Sequence, residues 1–285
     1  MSTLKIAVQK SGRLSEKSLQ LLKDCGIKLS NGERTLKATS PNFPVEILFL
    51  RDDDIPQYVE QGVADVGMLG ENEVWEKNKA ITSIKKLGFA NCRLSLAVPK
   101  DVVYTDISYF NNKKIATSYP VILQQFLNDN GLEAEIETIS GSVEIAPGIG
   151  LADAIFDIVS TGSTLQINGL KEVAVVTQSE AVLISNTTLS AEKQDILNRL
   201  LFRIQSVKNA AENKYILLNA PNDAIAQISS ILPGMKSPTV LPLQEPGWSS
   251  IHSVIKEDAF WDNIDRLKAL GAEGILIVNV EKMIL

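Results

Sequence analysis

The sequence predicts an α/β protein of two similar lobes with a cleft between them, followed by a smaller domain of the ferredoxin-like βαββαβ pattern. Three observations predict it. Short β-type runs alternate with helical ones over residues 4–185, which implies βαβ units and parallel sheets. A four-residue echo, Gly62-Val63-Ala64-Asp65 and Gly150-Leu151-Ala152-Asp153, precedes corresponding strands in the two halves. Residues 213–285 then read strand, helix, strand, strand, helix, strand.

LKIAVQ (4–9) reads as a buried strand and Ser11-Gly12-Arg13 as a loop. Residues 14–26 follow as an amphipathic helix, with Leu14, Leu19, Leu22 and Cys25 on roughly one face and Gly26 as its stop. VEILFLR (45–51) is a strand, 52–62 a short helix with acids in its first turn, and ADVGMLG (64–70) a third strand. The second half repeats the scheme, with strands at 92–99, 113–119, 133–140 and 152–159. It has a helix at 120–131, with Pro120 in its first turn, and another near 163–170. Residues 171–185 read as one long strand or a pair that returns the chain to the first half. A long helix at 190–212, apolar at Ile196, Leu197, Leu200, Leu201, Ile204 and Val207, leads to the tail. The tail's strands are expected at 213–221, 237–244, 248–256 and 274–280, and its helices at 222–232 and 258–271.

A length of 285 residues fits two or three domains, and 45% hydrophobic with 22% charged residues fits an ordinary globular core. No apolar run approaches the roughly 20 residues that cross a bilayer, so no membrane partner is expected. The N-terminal MSTLKIAVQ has no secretory pattern, and two cysteines, Cys25 and Cys92, fit a reducing compartment. The cytoplasm is the expected location. The net charge is −6 and no like-charge block exceeds Asp52-Asp53-Asp54, which disfavours nucleic acid as a partner. A small anion remains open, because a few local cations and backbone N–H groups suffice to hold one.

The chemistry-bearing stretches gather at strand ends, where open α/β sheets bind ligands. Ser160, Thr161, Gly162, Ser163 and Thr164 follow a buried strand and precede a helical run. Small residues and hydroxyls there suit a phosphate cradle; the plainer reading is a turn with a single capping hydroxyl. On a strand, Asp153 and Asp157 share a face about 13 Å apart. Asp157 is near enough to the loop to meet sugar hydroxyls or a metal, while Asp153 also reads as a solvated strand end. QKSGRL places Lys10, Gly12 and Arg13 after the first strand, and Arg51 opens RDDDIP, where phosphate and its own acidic neighbours compete for it. Gly70-Glu71-Asn72 and Thr117-Ser118-Tyr119 mark two further strand ends, and Glu144 in SGSVEIAP is a further acid for the cleft. Histidine-triad chemistry is disfavoured because His252, the only histidine, lies in the tail. No Cys/His cluster, GxxxxGK[ST] or GxGxxG after a strand is present.

QKSGRL, RDDDIP, GVADVGMLGEN, CRLSLA, KKIATSYP, SGSVEIAP, LADAIFDIVSTGSTLQINGL, PTVLPL and LKALGAEGILIVNVEKM together span residues 9–283. In these segments the chain resembles the ATP phosphoribosyltransferase family of histidine biosynthesis, in its long, feedback-regulated form. The resemblance implies a catalytic core like periplasmic-binding-protein folds and a tail that binds histidine. On it, lobe I comprises 1–91 and 182–212, lobe II 92–181, and the regulatory domain 213–285. N1 of the ATP adenine attacks C1 of phosphoribosyl pyrophosphate (PRPP), with Mg²⁺, giving N1-phosphoribosyl-ATP and pyrophosphate. Such a reaction is driven by positioning and electrostatics and needs no nucleophilic side chain. Ser160, Thr161, Gly162, Ser163 and Thr164 would hold the 5-phosphate of PRPP. Asp157, assisted by Asp153 or Glu144, would meet ribose hydroxyls or Mg²⁺, with Asp157 and Glu144 as the metal's carboxylates. Lys10, Gly12, Arg13 and Arg51 would face pyrophosphate and ATP phosphates, and Gly70 and Glu71 the nucleotide. Arg13 joins the three acids in the catalytic set. Asn219 and Thr239 would contact histidine, although Asn219 stands where an acidic or imidazole side chain is expected. Homo-oligomers, dimers and hexamers, are implied. The competing reading is a non-catalytic two-lobed module for a small anion or nucleotide.

Overall fold

The computed structural model describes residues 2–30 and 36–285. Two compact units divide the chain: Met1–Gln20 with Lys28–Ile196, and Leu21–Ile27 with Leu197–Leu285. Among the described residues the first unit holds two sheets and the second a third.

In the first lobe the elements run β1 (Leu4–Gln9), α1 (Arg13–Asp24), β2 (Lys37–Thr39), β3 (Val45–Leu50), α2 (Ile55–Glu60), β4 (Val66–Gly70), α3 (Glu71–Lys77) and β5 (Ile81–Lys86). β1 lies parallel to both β3 and β4, and its near-continuous apolar sequence is what a strand covered on both faces requires. α2 packs so closely that a Cβ at Gly67 of β4 would sit 2.5 Å from Ile55 Cγ2. Ala7, Ile55, Val59, Leu69, Val182 and Ile184 share that core.

The second lobe comprises β6 (Cys92–Pro99), β7 (Lys114–Thr117), α4 (Pro120–Asp129), β8 (Glu135–Thr138), β9 (Ala154–Val159), α5 (Ser163–Ile167) and β10 (Leu170–Ser179). Its sheet order is β10-β6-β9-β7-β8, with β7 parallel to β8 and β9. The ambiguous run 171–185 is a pair: past Glu180 the chain enters β11 (Ala181–Asn186), antiparallel to β4 in the first sheet. β5 escaped the sequence reading because ITSIKK is half exposed at the sheet edge and shows no clean alternation.

The GVAD/GLAD echo has a physical meaning. In lobe I the Asp65 N–H donates to the Lys5 carbonyl at 2.9 Å, and the Lys5 N–H donates to the Asp65 carboxylate at 2.8 Å. In lobe II Asp153 and Lys114 repeat both bonds, at 2.8 and 2.9 Å. Each aspartate fastens the start of its own strand to the start of the neighbouring parallel strand.

The chain leaves the first unit along α6 (Ala191–Ala211). The tail holds β12 (Asn213–Pro221), α7 (Ile225–Ile231), β13 (Thr239–Pro242), β14 (Trp248–Lys256), α8 (Glu257–Trp261), α9 (Ile264–Ala269) and β15 (Glu273–Asn279). Its antiparallel sheet, β13-β14-β12-β15, buries Ile216, Leu218, Ile228, Ile251, Phe260 and Leu267 in one core. The single helix expected at 258–271 is two short ones, separated at Asp262-Asn263, where the Asn263 amide donates to the Ala259 carbonyl.

Candidate active site

β9 delivers Asp157 and then turns sharply into α5. Gly162 makes that turn at φ +81°, a conformation L side chains resist. Around it Thr161 Oγ1 lies 3.0 Å from Ser163 Oγ and accepts the Ser163 N–H. The loop closes one side of a pocket of about 350 Å³ that brings together Arg13, Glu144, Asp157 and all of Ser160 to Leu165. Asp157 is half-buried, and its Oδ1 accepts the Ile158 N–H at 2.7 Å. Burial, reinforced by the charge of Glu144, pushes its carboxyl up to about 6. A small-residue, hydroxyl-rich loop, two carboxylates and a guanidinium thus converge in one place.

Arg93, which the sequence reading passed over, anchors the loop from behind. Its Nη1 donates to the Ser160 carbonyl at 3.0 Å, while Nε and Nη2 grip Glu172 at 2.5 and 2.6 Å. Ser95 adds a hydrogen bond to the same carboxylate. A cation inside the largely apolar RLSLAV run was the available signal.

The other expected residues are placed less uniformly. Asp153 precedes β9 and stands at the end of that strand remote from the loop, where its carboxylate accepts the Lys114 N–H. It does not line the pocket. Lys10 and Gly12 lie exposed after β1, with the Lys10 N–H held by the Leu50 carbonyl at 2.7 Å. Arg51 pairs with Asp53 at 3.1 Å, the acidic neighbour that the sequence set against phosphate. A Cβ at Gly70 would lie 2.3 Å from Asn72 Oδ1, so a side chain there would displace the Asn72 amide. Glu71 turns to Lys86 at 3.1 Å, and its N–H donates to the Glu180 carbonyl.

Helix α3 brings buried side chains to the opposite lobe. Asn72, Glu73 and Glu76, spaced to share one helix face, are all buried. The Glu76 carboxylate accepts the N–H groups of Val121 and Ile122 at 3.1 Å, capping α4 of the opposite lobe. Asn72 donates to the Tyr119 hydroxyl at 3.4 Å and to Glu73 at 3.1 Å, while its Oδ1 accepts from Ser179. Glu73 is pushed up to about 7, by burial first and then by Asp52. Burial, followed by the charges of Glu73 and Asp157, holds the Tyr119 phenol protonated. The sequence signal was there, in three polar residues on one stripe, but acids near a helix start are satisfied equally by the dipole.

In the tail, Asn219 is opposite Ser250 and Thr239 opposite His252, so both expected effector residues share the sheet face away from the core. His252 lies between them, with Nδ1 2.7 Å from the Tyr215 hydroxyl and Nε2 3.1 Å from Ser250 Oγ.

The model of the family described as ATP phosphoribosyltransferase matches residues 51–206, and that of the HisG C-terminal domain matches 210–282. ATP phosphoribosyltransferase of Bacteroides fragilis is 60% identical over 282 residues, covering 99% of this chain and all of that protein. A chain of the ATP phosphoribosyl transferase (HisG:HisZ) complex from Thermotoga maritima is 28% identical, with a TM-score of 0.61 over 71% of this chain and 99% of that one. A histidine kinase sensor domain with similarity to periplasmic binding proteins aligns at a TM-score of 0.52 and 11% identity, over 73% and 91% of the two chains. The last likeness is one of fold alone, to a domain similar to periplasmic binding proteins. The chain itself belongs to the ATP phosphoribosyltransferase family.

Proposed function

We propose that the chain transfers the phosphoribosyl group of PRPP to N1 of ATP, releasing pyrophosphate, as the first step of histidine biosynthesis. The observation that carries this reading is the convergence of the Ser160–Thr164 loop, Asp157, Glu144 and Arg13 in one pocket. In it, the loop holds the 5-phosphate with hydroxyls and backbone N–H groups. Asp157 accepts from the ribose hydroxyls and fixes C1 in line with the incoming adenine. Its negative charge also favours the cationic character that C1 gains as the pyrophosphate bond breaks. Arg13, with Lys10 and Gly12 beside it, takes up the charge growing on pyrophosphate. Arg51 can join them by exchanging Asp53 for phosphate. Gly70 and Glu71 border the nucleotide. No side chain forms a bond to substrate, so the rate comes from alignment and charge.

Asp157 and Glu144 are hard oxygen donors that fit Mg²⁺, which habitually takes one or two carboxylates and completes its shell with phosphate and water. When bound, Mg²⁺ would offset the pyrophosphate charge. Asp153 supports the site from outside the pocket, its carboxylate holding the strand start at Lys114.

The tail, residues 213–285, is proposed as a regulatory domain that binds histidine through Asn219 and Thr239 in a homo-oligomer. Residues 1–91 with 182–212, and 92–181, are proposed as the two catalytic lobes. Cytoplasmic residence fits the free cysteines Cys25 and Cys92, and none of the described helices is long and apolar enough to cross a membrane. Mixing the protein with ATP, PRPP and Mg²⁺ should produce the altered absorbance of an N1-alkylated adenine together with pyrophosphate. Binding of both substrates without product would leave only the non-catalytic module.

A further inference from the structure

Glu73 is a buried acid, 6% exposed, for which the reaction as described has no use. Its surroundings allow a count of protons. The Asn72 amide spends one N–H on Glu73 and the other on the Tyr119 oxygen, and its carbonyl oxygen is held by Ser179. Asn72 thus holds the Glu73 carboxylate and the Tyr119 oxygen beside each other, and a phenol has one proton to give. When Glu73 is ionised, that proton is committed to it. When Glu73 is protonated, the acid brings its own proton, and Tyr119 is free to donate toward the side of the cleft where Asp157 lies.

We propose that Glu73 is a positioning residue of the transferase reaction, acting through Tyr119 by deciding whether the phenol proton points into lobe I or into the cleft. This rests on the reading of the cleft as the transferase site. The groups facing Glu73 are Asp52 and Asp53 before α2, Lys77 on its own helix and Tyr119 from lobe II. Burial and the two aspartates raise the carboxyl while Lys77 and Tyr119 lower it, and the balance falls at about 7. The phenol is therefore released below that pH and captured above it. The arrangement links the lobes, because Glu73 rides on α3 and Tyr119 on the segment entering α4.

The test uses the full chain with Glu73→Gln, Tyr119→Phe and the double variant, in two measurements. In the first, carboxyl ¹³C titration without substrate, the signal lost in Glu73→Gln should titrate near neutrality in the wild type. It should move up by about one pH unit in Tyr119→Phe, which removes a hydrogen bond to the charged form. In the second, kcat/KM of the wild type should fall as pH rises through neutrality, and Glu73→Gln should lack that limb. The double variant should match Tyr119→Phe alone. A Glu73 midpoint unmoved by Tyr119→Phe, an unchanged limb in Glu73→Gln, or effects that simply multiply would each overturn the assignment. An inactive wild type would instead overturn the reading of the reaction, and the substrate-free titration would still decide the Glu73–Tyr119 coupling.

Discussion

Asp153 and Asp157 lie four positions apart and do unlike work. Asp153 and its counterpart Asp65 each tie two strand starts together, and Asp65 also holds Lys193 at 2.7 Å while 4% exposed. Asp65→Ala should therefore cost about 1–3 kcal/mol in chemical denaturation, because it leaves a backbone donor and a cation without their partner. Asp153→Ala should cost less and leave PRPP affinity unchanged by calorimetry. Asp157 sits where burial opposes its charge. Asp157→Asn should lower turnover about a hundredfold, in the range for removing one electrostatic contact, yet melt no lower than the wild type at neutral pH. Gly162 is constrained by conformation more than by space, since an added Cβ would meet only Val159 Cγ1 at 3.9 Å. Gly162→Val should abolish PRPP binding, and Gly162→Ala should cost about 1–2 kcal/mol in stability. The loop and Asp157 were legible in the sequence because small residues and an acid stand out against an apolar strand. Arg93 and Glu73 were not, because their partners Glu172 and Tyr119 lie far away in sequence.

Helix α3 shows how an element can matter beyond its own lobe. Through Glu76 it supplies the cap that α4 lacks from its own sequence, where Tyr119 offers no capping side chain. Glu76→Ala should cost about 1–3 kcal/mol, the penalty for buried donors left without a partner. A larger loss of PRPP affinity than of stability would indicate that the cap also holds the Tyr119 corner in place. Strands were read well where they are buried on both faces, as in β1, β4 and β9. Edge strands such as β2 and β5 carry little hydrophobic pattern and were missed. Residues 171–185 could not be divided by pattern alone, because Glu180 marks a change of sheet and β-propensity continues across it.

The whole molecule is a repeated design with an addition. Both lobes use an aspartate clasp at the start of a parallel strand whose far end leads into a helix, and the substrates are proposed to lie between those two strand ends. The echo of four residues was the visible trace of that repeat, and only the hydrogen bonds gave it a cause. The tail presents Asn219 and Thr239 on the sheet face away from its core, flanking His252. Asn219→Ala should weaken inhibition by histidine while leaving the uninhibited rate intact, as read from initial velocities with and without histidine. The position of PRPP is decisive, and a crystal structure of the protein with PRPP bound reveals it. It should show the 5-phosphate within Ser160–Thr164, the ribose hydroxyls against Asp157 and the pyrophosphate toward Arg13. A 5-phosphate bound anywhere other than that loop would contradict this placement.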